Sequence, residues 1–223
     1  MSLYQVRQEL KPYQGKALGI ALNNSGAVIA LPTGTGKTLV GCAWACELLN
    51  TGEVQRVLVL EPSRFLVEQV EQYYRNNTNI PVDKVYGIHP TESRAAIWRE
   101  PVPLVVATPQ VAFNDVSLLS FDTVIIDECH HTTGDYAYRK LLQAYHFKRR
   151  LGLSATIPDR LHATIEELIG PIHKWSWSDD EIKPFVPEWY GDIYDAELDT
   201  TEKKVLETLE TIRNELRLSL IHI

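Results

Sequence analysis

The chain has 223 residues, of which 44% are hydrophobic and 23% are charged, enough to bury one substantial core and an appendage. No apolar run approaches the roughly 18 residues that a membrane-spanning helix needs, and the N-terminus does not resemble a cleavable signal. Composition therefore argues against the membrane and secreted classes, and we expect an intracellular, cytoplasmic protein that does not bind membranes.

The formal net charge of −7 is unevenly distributed. Residues 178–223 contain twelve acidic and five basic residues, whereas residues 1–177 contain seventeen of each. This difference predicts a domain boundary near residue 177. Overall charge gives no support for nucleic-acid binding, which would depend on a local patch.

Hydrophobic periodicity predicts alternating strands and helices along most of the chain. The predicted strands are 26–31, 57–60, 83–86, 104–107, 123–126 and, as the last one, 150–154. The predicted helices are 39–49, 64–74, 91–98, 138–144 and 200–220. Such alternation is typical of an α/β fold with a mostly parallel central sheet flanked by helices.

Residues 31–38, Leu-Pro-Thr-Gly-Thr-Gly-Lys-Thr, join the first predicted strand to the first predicted helix. Glycines let the backbone wrap around a polyphosphate, so that successive N–H groups face its oxygens. Lys37 is then expected to reach the β- and γ-phosphates, and the Thr38 hydroxyl to ligate Mg²⁺. Leu31 departs from the general motif, which has glycine there. The alternative is a glycine-rich turn without a ligand.

Two acidic residues, Asp127 and Glu128, directly follow the β-branched strand predicted at 123–126. The carboxyl ends of strands are where α/β sheets bind their ligands. We expect Asp127 to hold Mg²⁺ and Glu128 to orient and deprotonate the attacking water. The alternative is a solvated acidic loop.

The three cysteines do not form the pattern of a disulfide framework. Cys42 and Cys46 lie one helical turn apart and could form half of a metal site, but core positions in a helix are the simpler interpretation. Residues 129–131, Cys-His-His, are a poor ligand set because adjacent side chains rarely converge on one ion.

Further segments occur in an order that resembles the first RecA-like domain of superfamily 2 nucleic-acid helicases, over about residues 3–177. Residues 11–14 resemble the adenine-sensing motif, 61–64 motif Ia, 107–110 motif Ib and 153–156 motif III. The resemblance implies a RecA-like ATP-binding domain at 1–177. It also implies that residues 178–223 form an acidic connector and the start of a helical insert.

The resemblance assigns roles residue by residue. ATP binding is implied for Gln14, which would pair with the adenine edge, and for Thr33, Gly34, Thr35, Gly36, Lys37 and Thr38. Catalysis is implied for Lys37, Asp127 and Glu128, with Mg²⁺ held by Thr38 and Asp127. Sequence-independent contacts to a nucleic-acid backbone are implied for Pro62, Ser63, Arg64, Thr108, Pro109 and Gln110. Coupling between the two sites is implied for His130, Ser154, Ala155 and Thr156.

Within the superfamily, residues 108–110, 114–115, 127–130 and 134–138 are most similar to archaeal Hef and the Fanconi-anaemia group M helicases. This similarity favours fork-like DNA as the substrate and a role in DNA repair. The Cys129-His130 form of the acidic motif is also similar to RIG-I-like and Dicer helicases, which act on double-stranded RNA. DNA is the favoured partner, and RNA stays the alternative.

No segment after Thr156 resembles the motifs of a second RecA-like domain, including the arginine that would reach the γ-phosphate. Such an arginine contributes about 10³–10⁵-fold to turnover. We therefore expect a fragment that binds ATP and hydrolyses it poorly. A nucleotide-dependent switch without translocation is an alternative, whereas the acidic and Ser-Ala-Thr motifs argue against a P-loop kinase.

The C-terminal part of the chain divides into two segments. Residues 174–195, which are rich in tryptophan and proline, predict a packed connector without regular structure. The helix predicted at 200–220 has an apolar stripe of Val205, Leu209, Ile212 and Leu216, and Thr200 or Thr201 is the predicted N-cap. The stripe indicates a packing partner, either the rest of a helical insert or a second copy in a coiled coil.

Overall fold

The computed structural model describes residues 4–133, 136–185 and 199–219. The chain divides into two compact units, residues 1–186 and 187–223. No helix within the described ranges is long and apolar enough to cross a membrane.

The first unit is built on one parallel sheet of seven strands, ordered β3-β4-β2-β5-β6-β1-β7. The strands are β1 Gly26–Ala30, β2 Val57–Leu60, β3 Val82–Val85, β4 Leu104–Ala107, β5 Thr123–Ile126, β6 Arg149–Ser154 and β7 Ile172–Lys174. All carboxyl ends of a parallel sheet meet at one edge, and this edge carries the candidate site.

Helices cover both faces of the sheet. They are α1 Pro12–Asn23, α2 Lys37–Thr51, α3 Arg64–Asn77, α4 Thr91–Arg99, α5 Pro109–Asn114, α6 Tyr136–Ala144 and α7 His162–Leu168, with α8 Thr200–Ser219 in the second unit. Side chains of α1, α2 and α3 pack on one face, and side chains of α4 to α7 pack on the other. Both faces are therefore buried, which explains the continuous apolar runs of the central strands.

Alternation along each strand divides the core in two. In β2, Val57 and Val59 belong to the cluster on the α1–α3 side, whereas Leu58 and Leu60 belong to the cluster on the opposite face. The same alternation in β5 places Ile125 on the α1–α3 side. Side chains that follow these strands at the next odd position therefore point toward α2 and α3.

The predicted α/β class and parallel sheet are confirmed, with three differences in detail. Strand β6 is not the last, because β7 pairs with β1 on its other side. Helices α1, α5 and α7 were not predicted as elements. The segment predicted as an irregular connector contains Lys174 of β7 and a short 3-10 turn, Lys183–Phe185. Residues 186–198 of that connector lie outside the described residues.

Asp199, rather than Thr200 or Thr201, caps helix α8. Its carboxylate accepts hydrogen bonds from the backbone N–H groups of Thr201 and Glu202 at 2.7 and 2.8 Å. Glu202 accepts in return from the Asp199 N–H at 2.9 Å, which completes a capping box. The predicted threonine cap is wrong because aspartate one residue earlier satisfies two free N–H groups at once.

Candidate nucleotide and nucleic-acid site

The glycine-rich loop is anchored at both ends. The Leu31 N–H donates to the Ser154 carbonyl at 3.1 Å, which extends the β1–β6 pairing beyond the strand end. Helix α2 begins at Lys37, directly after Gly36, whose φ is 80°. Gly34 has φ 79°, and both glycines occupy the left-handed region that L side chains rarely adopt. The loop therefore adopts the form that presents backbone N–H groups to an anion.

Residues of α1 hold this loop through hydrogen bonds to its backbone. The Tyr13 hydroxyl and the Gln14 amide nitrogen both donate to the Thr35 carbonyl, at 2.9 and 2.8 Å. The Gln14 amide oxygen accepts from the Lys11 N–H at 2.8 Å. A Cβ on Gly36 would lie 2.5 Å from the Gln14 amide nitrogen. Gln14 thus joins the start of α1 to the loop.

The two predicted acidic residues lie at the end of β5. Asp127 is 8% exposed, and burial raises its pKa to about 6, with the Glu128 charge acting in the same direction and Lys37 against it. The Glu128 N–H donates to the Asp127 carboxylate at 2.9 Å. Glu128 has φ 47° and is the single non-glycine residue with positive φ in the described part of the chain. Such strain costs roughly 1–3 kcal/mol and is concentrated at functional sites.

A third acidic residue, Glu61, follows β2 beside them. It is 1% exposed, and its Oε1 atom has no hydrogen-bond partner among the described residues. Burial raises the pKa of Glu61 well above its usual value of 4.5, and the charges of Asp127 and Glu128 raise it further. Glu61 lies within motif Ia, but the resemblance implied no role for it. A glutamate is normally solvent-exposed, so residue type alone offered no signal.

His130 connects this acidic group to β6. Its Nδ1 atom lies 2.8 Å from the Ser154 hydroxyl and 3.3 Å from a Glu128 carboxylate oxygen. The Ser154 hydroxyl donates to the Thr156 carbonyl at 2.8 Å, so it can only accept from His130, and Nδ1 carries the proton. Burial, followed by the neighbouring His131, lowers the pKa of His130. The neutral ring therefore leaves Nε2 as an acceptor.

The residues of motif III take part in these hydrogen bonds in different ways. Ser154 contacts His130 through its side chain, whereas Thr156 takes part through its backbone carbonyl. Ala155 lies between them, half-buried. A side-chain role for Thr156, as the resemblance implies, has no counterpart among these contacts.

The six residues implied in nucleic-acid contact follow the neighbouring strands β2 and β4 at the same edge of the sheet: Pro62, Ser63, Arg64, Thr108, Pro109 and Gln110. Ser63 caps α3, since its hydroxyl accepts from the Leu66 N–H at 3.3 Å. Thr108 is buried at the start of α5, and Gln110 is exposed. The Arg64 guanidinium lies 5.9 Å from the centre of the Tyr86 ring and enters no salt bridge within the described residues. Its charge is therefore available to a phosphate.

Comparison with known proteins identifies the family. Residues 7–159 match the family described as Type III restriction enzyme, res subunit. The chain belongs to this family. It is a RecA-like first domain of a superfamily 2 helicase, as the resemblance in sequence predicted. The crystal structure of the Pyrococcus furiosus Hef helicase domain superposes with a TM-score of 0.71 at 28% identity, covering 79% of this chain and 40% of that one.

Two curated relatives differ in the polymer that their names give. A Methanocaldococcus jannaschii protein named as an ATP-dependent RNA helicase is 32% identical, covering 80% of this chain and 24% of its own length. The Schizosaccharomyces pombe ATP-dependent DNA helicase fml1 is 27% identical, covering 77% of this chain and 22% of its own length. The chain thus spans about a quarter of the length of these helicases.

The helicase family implies Mg²⁺ as the companion of ATP, and the residues at the sheet edge fit this ion. Mg²⁺ prefers oxygen ligands and commonly uses one or two carboxylates together with substrate phosphates. Asp127 and Thr38 carry oxygens of this kind, and the buried Oε1 atom of Glu61 has no hydrogen-bond partner among the described residues. Among the described residues, no group of three or more His, Cys, Asp or Glu side chains could hold a metal ion without a substrate.

One supporting cluster in the helicase domain was missed in the sequence. Arg94 donates to both carboxylate oxygens of Asp115, at 2.8 and 3.1 Å, and to the His89 carbonyl at 3.0 Å. The Trp98 indole N–H donates to the same carboxylate at 2.9 Å. This buried cluster fixes the turn after β3 against the end of α5, beside motif Ib. Arg94 and Asp115 are 21 positions apart in the sequence, so only the fold brings them together.

Proposed function

We propose that this chain is the ATP-binding first motor domain of an ATP-dependent helicase or translocase that acts on fork-like DNA. The observation that carries the proposal is the meeting of the glycine-rich loop and the Asp127–Glu128 pair at one sheet edge. The charge of Lys37 already acts on Asp127 there, lowering its pKa against the effect of burial. This interaction supports the assignment of the loop and the acids to one site.

The roles of the residues follow from this arrangement. Loop N–H groups and Lys37 bind the β- and γ-phosphates of ATP, and the Gln14 amide contacts the base. Thr38 and Asp127 hold Mg²⁺, which neutralises charge that develops on the phosphates. A carboxylate oxygen of Glu128 lies 3.3 Å from His130 Nδ1. Glu128 accepts a proton from the attacking water. Because His130 forms a hydrogen bond with Ser154 of motif III, a change at Glu128 is transmitted to that motif.

We propose that a nucleic-acid strand binds at the starts of α3 and α5. Exposed Ser63 and Arg64 at the start of α3, together with exposed Gln110 of α5, contact a strand through its phosphates, whereas Thr108 is buried. Phosphate contacts contain no base information, so binding depends on structure rather than on sequence. The relative named as a DNA helicase supports DNA, and the relative named as an RNA helicase supports RNA as the second candidate.

ATP turnover is expected to need more than these residues. We propose that residues 1–177 form the ATPase half-site, that residues 178–223 begin a helical insert, and that a second RecA-like domain supplies the missing arginine. These residues alone are then expected to bind ATP without efficient hydrolysis, since such an arginine is worth about 10³–10⁵ in turnover. A nucleotide-dependent switch is the competing function, and it differs by needing no polymer.

ATP turnover of the 223-residue chain with forked DNA, single-stranded DNA or duplex RNA tests this proposal, with Glu128→Gln as the background. We expect turnover indistinguishable from that of Glu128→Gln, and tighter binding of forked DNA than of duplex RNA. Turnover that a polymer stimulates and Glu128→Gln abolishes would contradict the half-site. Preference for duplex RNA would favour the second candidate, and absence of binding to any polymer would favour the switch.

A further inference from the structure

Glu61 is the most unusual polar side chain near the nucleotide site. It is 1% exposed, and its Oε1 atom has no partner among the described residues. Burying a carboxyl group without hydrogen bonds is costly, and most buried polar atoms of folded proteins are paired. The burial of Glu61 with an unpaired oxygen therefore requires an explanation.

A second buried glutamate in the same unit shows how a structural acid is accommodated. Glu71 on α3 is 4% exposed, and its carboxylate pairs with Arg75 and Lys84. No cation among the described residues pairs with Glu61. Instead, its neighbours Asp127 and Glu128 are acids whose charges act unfavourably on it. Ion pairing explains the burial of Glu71 but does not explain that of Glu61.

Strand register directs Glu61 toward the nucleotide site. Leu60 of β2 pairs with Ile126 of β5, so Glu61 and Asp127 are the next residues on two adjacent strands. Val59 and Ile125 lie two positions earlier, and both belong to the core on the α1–α3 side. Because side chains alternate along a strand, Glu61 and Asp127 point to this same face, where α2 begins at Lys37.

We infer that Glu61 is a positioning residue of the Mg²⁺–ATP site, whose free oxygen accepts a hydrogen bond from a water molecule of the Mg²⁺ shell beside Asp127. The inference rests on the proposed function. Mg²⁺ retains several waters when bound by proteins, and these waters need acceptors. A divalent cation also offsets the repulsion among three adjacent acids. Loss of outer-shell partners typically weakens metal binding by about 10–100-fold.

The test is the affinity of a fluorescent ATP analogue measured against Mg²⁺ concentration. Glu61→Leu removes the acceptor at similar volume, Glu61→Gln keeps an acceptor oxygen without charge, and Glu71→Gln is the matched buried control. We expect Glu61→Leu to raise the Mg²⁺ midpoint about 10-fold or more and Glu61→Gln to raise it less. Affinity measured in EDTA should be unchanged in both variants. Glu71→Gln should leave the midpoint at its wild-type value.

The outcomes separate this inference from the proposed function. Wild-type analogue binding that Mg²⁺ strengthens, with the same midpoint in Glu61→Leu, would overturn the inference alone. If Glu61→Leu does not fold, an unchanged midpoint in Glu61→Gln would overturn it equally. Failure of the wild-type chain to bind the analogue at any Mg²⁺ concentration would overturn the proposed function and the inference with it.

Discussion

Glu61 should also affect stability, in the direction opposite to its effect on Mg²⁺ binding. Its pKa is raised in the folded protein, mainly by burial, so the folded state holds the proton more tightly than the unfolded state. Stability is then highest below the unfolded pKa and falls as pH rises toward the folded pKa. Glu61→Gln is uncharged at every pH and escapes this loss.

We therefore expect Glu61→Gln to be more stable than wild type at pH 7, with a difference that disappears near pH 4. Each unit of raised pKa corresponds to about 1.4 kcal/mol, or roughly 3 °C in melting temperature for a domain of this size. Thermal unfolding without nucleotide, followed from pH 4 to pH 8, measures this difference. A variant less stable than wild type across the whole range would show that Glu61 stabilises the fold.

The positions of the glycine-rich loop and of the acidic pair could be predicted from the sequence because they depend on local order. Lys37 follows a glycine-rich turn, and Asp127 follows a β-branched strand, so each position could be read from its neighbours in the chain. Glu61 could not be interpreted in this way. Its burial results from the pairing of β2 with β5, whose residues are more than 60 positions apart in the sequence.

At the level of elements, the start of α3 is where the proposed strand contact can be tested. Arg64→Ala should weaken binding equally for all sequences and reduce the salt dependence of the logarithm of affinity by about one unit. Arg99→Ala is the control, because Arg99 is also exposed but lies in the last turn of α4. Binding titrations at several salt concentrations, with two unrelated sequences, measure both effects. An effect confined to one sequence, or equal effects in both variants, would contradict phosphate contact by Arg64.

The elements that sequence missed share a physical reason. Strand β7 has three residues, and none of them is buried, so neither length nor hydrophobicity distinguishes it from a loop. Helix α1 buries small residues, Ala17 and Ala21, which give little apolar periodicity. Helices α5 and α7 contain six and seven residues, fewer than two full turns each. The continuously apolar strands and amphipathic α3 lacked these ambiguities and were predicted correctly.

For the whole molecule, the second unit exposes an apolar face on its helix. Val205, Leu206 and Leu209 of α8 are exposed, and Val205 and Leu209 belong to the predicted stripe. The side chains of Ile212 and Leu216 lie outside the described residues, so the stripe is observed over its first half. The assignment of this helix to a helical insert stays a proposal.

The central claim is that the first unit binds ATP through the loop that begins α2. Titration of the chain with a fluorescent ATP analogue in Mg²⁺, for wild type and Lys37→Ala, tests it most directly. Lys148→Ala is the matched control, because Lys148 is exposed and pairs with Asp122 at the amino-terminal edge of the sheet. We expect saturable binding in wild type and Lys148→Ala, and its loss in Lys37→Ala. Equal affinity in Lys37→Ala and wild type would contradict the account.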